Sequence, residues 1–273
     1  GVTGVQTCAL PISDDLAVAR LDAGREVTVR GYPAWLTKDG VSVDVGRKGA
    51  KAAGLYQPRD ATNALAAGTR AGGSGAEYAN TYALAPNDHV VLGGIYEGMP
   101  DFGSGTLPAP SMGAGFNGVL LEVVGTSVTN SVPLIGSGVF VRGIDVNGSG
   151  NTIATGEYQA ALDVVGHQIM SAGGSDGFYL RIDPQGAGVT DLVSLGGVGP
   201  DAGSLALFDG LGGIYLVGQF SENVGLGPGS LVAAGARDVL VARAATNGTV
   251  MWAKRLGGSG IDNAWSAKVD GDG

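Results

Sequence analysis

The chain has one cysteine, Cys8, and two histidines, His89 and His167, in 273 residues. Charged residues make up only 15% and aromatics 6%. A single cysteine excludes an internal disulfide and a multi-thiolate metal site. The histidines lie far apart with no neighbour at metal-ligand spacing. Both are expected to be surface turn residues, His89 in "PNDH" and His167 in a glycine-rich excursion. No apolar run reaches the roughly 18 residues that a membrane-spanning helix needs. Positive charge is also scarce: 16 Lys and Arg face 25 Asp and Glu, for a net charge of −9. Such a chain repels phosphate backbones, which argues against a nucleic-acid partner.

Glycine is what the chain has in excess, at 51 residues. There is no three-residue period, so this is not collagen. The hydrophobic fraction of 44% is too high for a disordered linker. Glycine-dense, apolar and turn-rich together point to many short strands joined by tight turns.

An internal repeat organises these strands. "GGSG", "GSG", "GGVG" and "GGSG" end at Gly75, Gly138, Gly199 and Gly260, which are 63, 61 and 61 residues apart. "VVLGG", "TIATG" and "IYLVG" follow the first three, giving Gly93, Gly156 and Gly218. A third marker is a strand opened by a small polar residue: "NGVLLE" from Asn117, "DGFYLR" from Asp176 and "DVLVAR" from Asp238, with "DLAVAR" from Asp15 near the chain start. Each repeat reads as four strands. In the clearest copy they are 204–208, 213–220, 238–244 and 249–256, with the excursion "GLGPGSLVAAGAR" before the third. The third strand is apolar on both faces, Leu240 and Ala242 on one, Val239 and Val241 on the other. That pattern requires sheets stacked on both sides. Four-stranded units that stack on each other meet the requirement as propeller blades.

The pattern "IYLVGQF…G…DVLVARA…G…WAKRLGG" resembles the bacterial β-propeller repeat often called SBBP, over roughly 63–273 and 14–23. The resemblance implies radially arranged blades in an exported or surface-associated bacterial protein, hence an extracellular or cell-surface location. It carries no catalytic residues. The opening "GVTGVQTCALPI" resembles something else, the translation of a common DNA-sequencing adapter. It has neither the positive region nor the apolar core of a signal peptide.

The expected organisation is adapter-derived sequence at 1–13, then a partial blade at 14–74 with an insertion at about 24–61. Blades follow at 75–137, 138–198 and 199–259, and a truncated blade at 260–273. The fold expected is all-β, an open or incomplete propeller fragment. The insertion holds two alternating runs, 26–30 and 41–45, expected to pair as a hairpin with Tyr32, Pro33 and Trp35 in the connection. Arg47, Lys48 and Lys51 give it a basic end that could steer an anionic partner such as an acidic glycan.

Candidate chemistry is sparse. "GGSDG" around Ser175 matches a nucleophile elbow, but a strand follows it and no histidine lies beyond His167. "DVNGSG" presents Asp145, Asn147 and Ser149 like the start of a calcium loop, but Ile153 and Gly156 stand where closing ligands belong. A hairpin turn is the better reading there. Trp252 and Trp265 could stack on sugars, though blade-core packing explains both more simply. No catalytic, cofactor or metal residue is assigned. The expected role is a non-catalytic scaffold or binding module with a protein or glycan partner at a loop surface. The alternatives are a propeller-based lyase or hydrolase, or a calcium-stabilised adhesion module.

Overall fold

The computed structural model describes residues 70–86, 89–110, 115–184, 188–226 and 229–269, with a few short backbone pairings nearer the chain start. Among the described residues there are strands and no helix. Within the insertion, Glu26–Val29 pairs with Tyr32–Trp35, Val29 opposite Tyr32. The expected hairpin between 26–30 and 41–45 is therefore corrected. Tyr32, Pro33 and Trp35 lie in the second strand, because a shorter connection costs less closure entropy. The 41–45 run and the Arg47–Lys51 basic end lie outside the described residues.

Thirteen strands follow from Glu77 onward among the described residues. β1 (Glu77–Ala85), β2 (His89–Tyr96), β3 (Asn117–Val124), β4 (Ser127–Val146), β5 (Thr152–Val164), β6 (His167–Ile182) and β7 (Val189–Leu195) form one antiparallel sheet in sequence order. This sheet curves into a half-barrel. β8 (Ala202–Phe208), β9 (Gly213–Phe220), β12 (Asp238–Ala245) and β13 (Val250–Leu256) form a second sheet in that order. β10 (Asn223–Leu226) and β11 (Gly229–Val232) pair as a hairpin inside the excursion.

The long strands serve two neighbours each. The first part of β4, through Leu134, pairs with β3, and the part from Leu134 onward pairs with β5, first with its end and from Phe140 with its beginning, with register breaks between Gly136 and Phe140. The described residues thus contain three four-stranded meanders. The first is β1, β2, β3 and early β4. The second is late β4, early β5, late β6 and β7. The third is the separate sheet.

Their common period is 62. Gly94, Gly156 and Gly218 lie against the carbonyls of Tyr78, Phe140 and Ala202 on the neighbouring strand. A Cβ at any of them would collide with that oxygen. Gly94, rather than Gly93 as the sequence markers suggest, is the structural equivalent of Gly156 and Gly218. Gly93 instead packs toward the next repeat, against Val141 and Ile144.

Apolar cores fill the gaps between repeats. Val91, Leu120 and Val132 of the first repeat pack with Ala154, Phe178 and Leu180 of the second. Ile153, Tyr179 and Leu195 of the second pack with Ile214, Leu216, Phe220 and Leu240 of the third. The first strands of successive repeats also meet. Asn80 donates from Nδ2 to the Val141 carbonyl (3.2 Å), and the Phe208 amide donates to Asp145 Oδ2 (2.8 Å).

The polar residues that open the third strands are buried clasps. Asp176 Oδ2 accepts the Ala172 amide at 2.9 Å, and Asp238 Oδ2 accepts the Ala234 amide at 2.7 Å. Asn117 Oδ1 accepts the Gly136 amide at 3.1 Å. Gly196 and Gly257 pass against the carboxylates of Asp176 and Asp238, where a side chain would not fit. The second partner differs in each repeat. Asn117 donates to Tyr96 Oη, Asp176 accepts from Ser194, and Asp238 pairs with Arg255. Ser194 in turn accepts from Tyr158 Oη at 2.8 Å. Tyr158→Phe breaks that chain at its buried end and is expected to cost about 1 kcal/mol, read as a shift in the urea unfolding midpoint.

The aromatic expectation is corrected in two places. Trp265 is 84% exposed and lies in a stretch without strand structure. A first strand gains its ladder from the second strand of its own repeat, and no described residue supplies one. Trp252 does lie in a fourth strand, but it is 36% exposed on an uncovered face, edge-on to Tyr215 and beneath Lys254. The equivalent positions Leu134, Leu195 and Leu256 show why: the first two are buried under the following repeat, whereas Leu256 is exposed.

Candidate functional site

The junction between the first and second repeats is not sealed. A cleft of about 260 Å³ opens there, lined on one side by His89, Leu120, Glu122, Asn130 and Val132 of the first repeat. Gly148–Gly150, Ile182, Asp183 and Pro184 of the second repeat form the other side. Pleating sets the first wall. Val91 pairs with Glu122, and Leu120 with Val132, so alternate residues of β2, β3 and β4 project from one face. His89 is half-buried at the start of β2, with Nδ1 2.9 Å from Glu122 Oε1. It is therefore not a free turn residue, since cross-strand geometry brings its ring to the carboxylate.

The second junction shows what closing this space takes. Tyr179 and Arg181 occupy the places of Leu120 and Glu122. Tyr179 Oη and Arg181 Nη1 both donate to the Thr246 carbonyl, at 3.1 and 2.9 Å. Arg181 also lies 3.4 Å from Asp191, on the neighbouring β7. Thr246 stands in the third repeat where Pro184 stands in the second. The first junction has the smaller Leu120 and the opposite charge of Glu122 at these two positions, and a cleft remains.

The other candidate motifs lie in strands and turns. Ser175 lies within β6, with its Oγ 3.4 Å from the Asp201 carbonyl. Asp145 accepts the amides of Val146 and Phe208, and Asn147 Oδ1 accepts those of Ser149 and Asn151. The 145–150 stretch thus ends a strand and makes a turn, with the Asp145 and Asn147 side-chain oxygens accepting N–H groups. His167 is exposed at the start of β6.

Two buried carboxyl groups show opposite electrostatics. Burial pushes Asp201 up to about 6, against the pull of the Ser221 and Gly197 amides, and the nearby Asp176 charge adds to the rise. Asp209 is also buried, yet its pKa is lowered. There the desolvation is outweighed by the Gly213 and Leu211 amides and by Arg243.

Sequence reasoning missed Glu122 and Asn130. The signal was present in the third-strand markers "NGVLLE", "DGFYLR" and "DVLVAR", which end in Glu122, Arg181 and Arg243. The charge reverses at the first. No family model matches the chain, and no curated protein matches it.

Proposed function

We propose that this chain is a run of β-propeller blades serving as a non-catalytic scaffold or binding module of an exported or surface-associated bacterial protein. One observation carries the reading. Three meanders share a 62-residue period, each presses a glycine onto its own first strand, and the first two stack face to face on the meander that follows. Stacking of this kind buries both faces of a sheet and leaves turns and junction clefts as the surfaces open to a partner. The buried polar groups support a structural role, because Asp176, Asp201 and Asp238 each close a backbone turn.

The test separates binding from catalysis. The full chain is expected to give no turnover above blank on chromogenic esters, glycosides and acidic polysaccharides, and to retain a defined class on peptide and glycan arrays. Turnover that disappears in Asp201→Asn would replace this reading with a propeller-based enzyme.

A further inference from the structure

We propose that the cleft between the first and second repeats receives a basic side chain, a guanidinium or ammonium on an alkyl stem, from a peptide partner. This deepens the binding-module reading and rests on it. The argument is a comparison of two equivalent junctions in one molecule. In the second, the space between the third strand of one repeat and the following repeat is spanned by the arginine side chain of Arg181. Its guanidinium reaches the Thr246 carbonyl and lies near Asp191, and its Nε donates to Thr190 Oγ1 at 2.8 Å. In the first junction the strand supplies an acid, Glu122, and the space is open.

The cleft has the two parts that such a side chain needs. Leu120, Val132 and Pro184 offer apolar wall to a methylene stem. Glu122 and Asp183 line the same cleft as carboxylates, and Asn130 adds an amide. Glu122 is held by His89 across the ladder, so its carboxylate is oriented before a ligand arrives. A carboxylate recognises a planar guanidinium through paired N–H donors. The net charge of −9 also favours approach of a cationic segment.

The probe is an N-acetylated, C-amidated Gly-Arg-Gly peptide, with its citrulline counterpart as a neutral isostere. Titration of the full chain by NMR or calorimetry is expected to show binding of the arginine peptide at least tenfold tighter than the citrulline one. Glu122→Gln is expected to erase that preference while leaving the fold intact. Glu122→Arg supplies from within the side chain that the second junction already has. It is expected to raise the melting temperature and abolish peptide binding. Equal affinity for the two peptides, or a preference that survives Glu122→Gln, overturns the proposal. That failure would leave the binding-module reading to the array and turnover assays.

Discussion

Replacing Gly156 by valine is expected to destabilise the protein by at least about 4 kcal/mol, a large part of the roughly 5–15 kcal/mol that holds a typical domain folded. A Cβ there falls onto the Phe140 carbonyl oxygen and comes within 2.9 Å of the Phe178 ring. Neither neighbour can yield. The carbonyl belongs to the first strand of the same repeat, and Phe178 is fully buried in the core shared with the first repeat. Overpacking is relieved only by moving backbone, and the backbone here carries ladders on both sides. Gly218→Ala is a milder case, since its Cβ would meet the Ala202 oxygen at 2.6 Å. Gly98→Ala is the control. Nothing lies within 4 Å of that position, and its φ of +70° predicts a penalty of about 1 kcal/mol from conformation alone. Urea unfolding of the three variants should rank them Gly156, Gly218, Gly98. A Gly156→Val protein as stable as the Gly98 variant would mean that the strand-one contact is not what the repeat is built on.

Much of this architecture is legible in the sequence, and the reason is physical. Strands and turns have separate compositions here, so "GIYLVGQF" reads directly as the strand Gly213–Phe220, and "DVLVARA" falls within Asp238–Ala245. The small polar residue before each third strand is also legible as a marker. Its purpose is not, because the clasp of Asp176 onto the Ala172 amide and past Gly196 joins loops that sequence does not show to be adjacent. A choice between Gly93 and Gly94 is invisible for a related reason. Both are glycine, and only the pleat decides which meets the first strand and which meets the next repeat. Strand periodicity misplaced Trp265, since a strand-like pattern becomes a strand only when a partner ladder is there to receive it. The cleft is the least legible feature. It arises from a size difference, Leu120 against Tyr179, and a charge reversal, Glu122 against Arg181, at positions whose equivalence rests on the register of two sheets.

Stability is expected to fall as the pH rises from about 4 to about 7, with Asp201 the main cause. Asp201 is 2% exposed, between the end of the second repeat and the start of the third. Its Oδ2 accepts the Gly197 amide at 2.6 Å and its Oδ1 the Ser221 amide at 2.9 Å. Those bonds and Arg237 favour the anion, but loss of solvent and the Asp176 charge outweigh them and hold the group at about 6. An unfolded aspartate titrates near 3.9. The folded state therefore binds the proton more tightly. The contribution is fully present below about pH 4 and is lost as the pH rises through about 6. A difference of about two units corresponds to at most about 3 kcal/mol. Asp145, also raised mainly by burial, acts in the same direction. Asp209 and Asp238 act oppositely. Their lowered pKa values give stability above the ordinary aspartate range that is lost as the pH falls through their folded values. The two sets act in different windows: Asp209 and Asp238 lose their contribution below the ordinary aspartate range, and Asp201 loses its contribution above it. Urea midpoints measured at intervals from pH 3 to pH 8 test this, with Asp201→Asn alongside. The amide offers one acceptor oxygen to two N–H donors, so the variant should be weaker than wild type at pH 4 and should lose most of the decline between pH 4 and pH 7. Parallel wild-type and variant profiles across that window would show that Asp201 is ionised in the folded protein at acid pH, and that the decline has another origin.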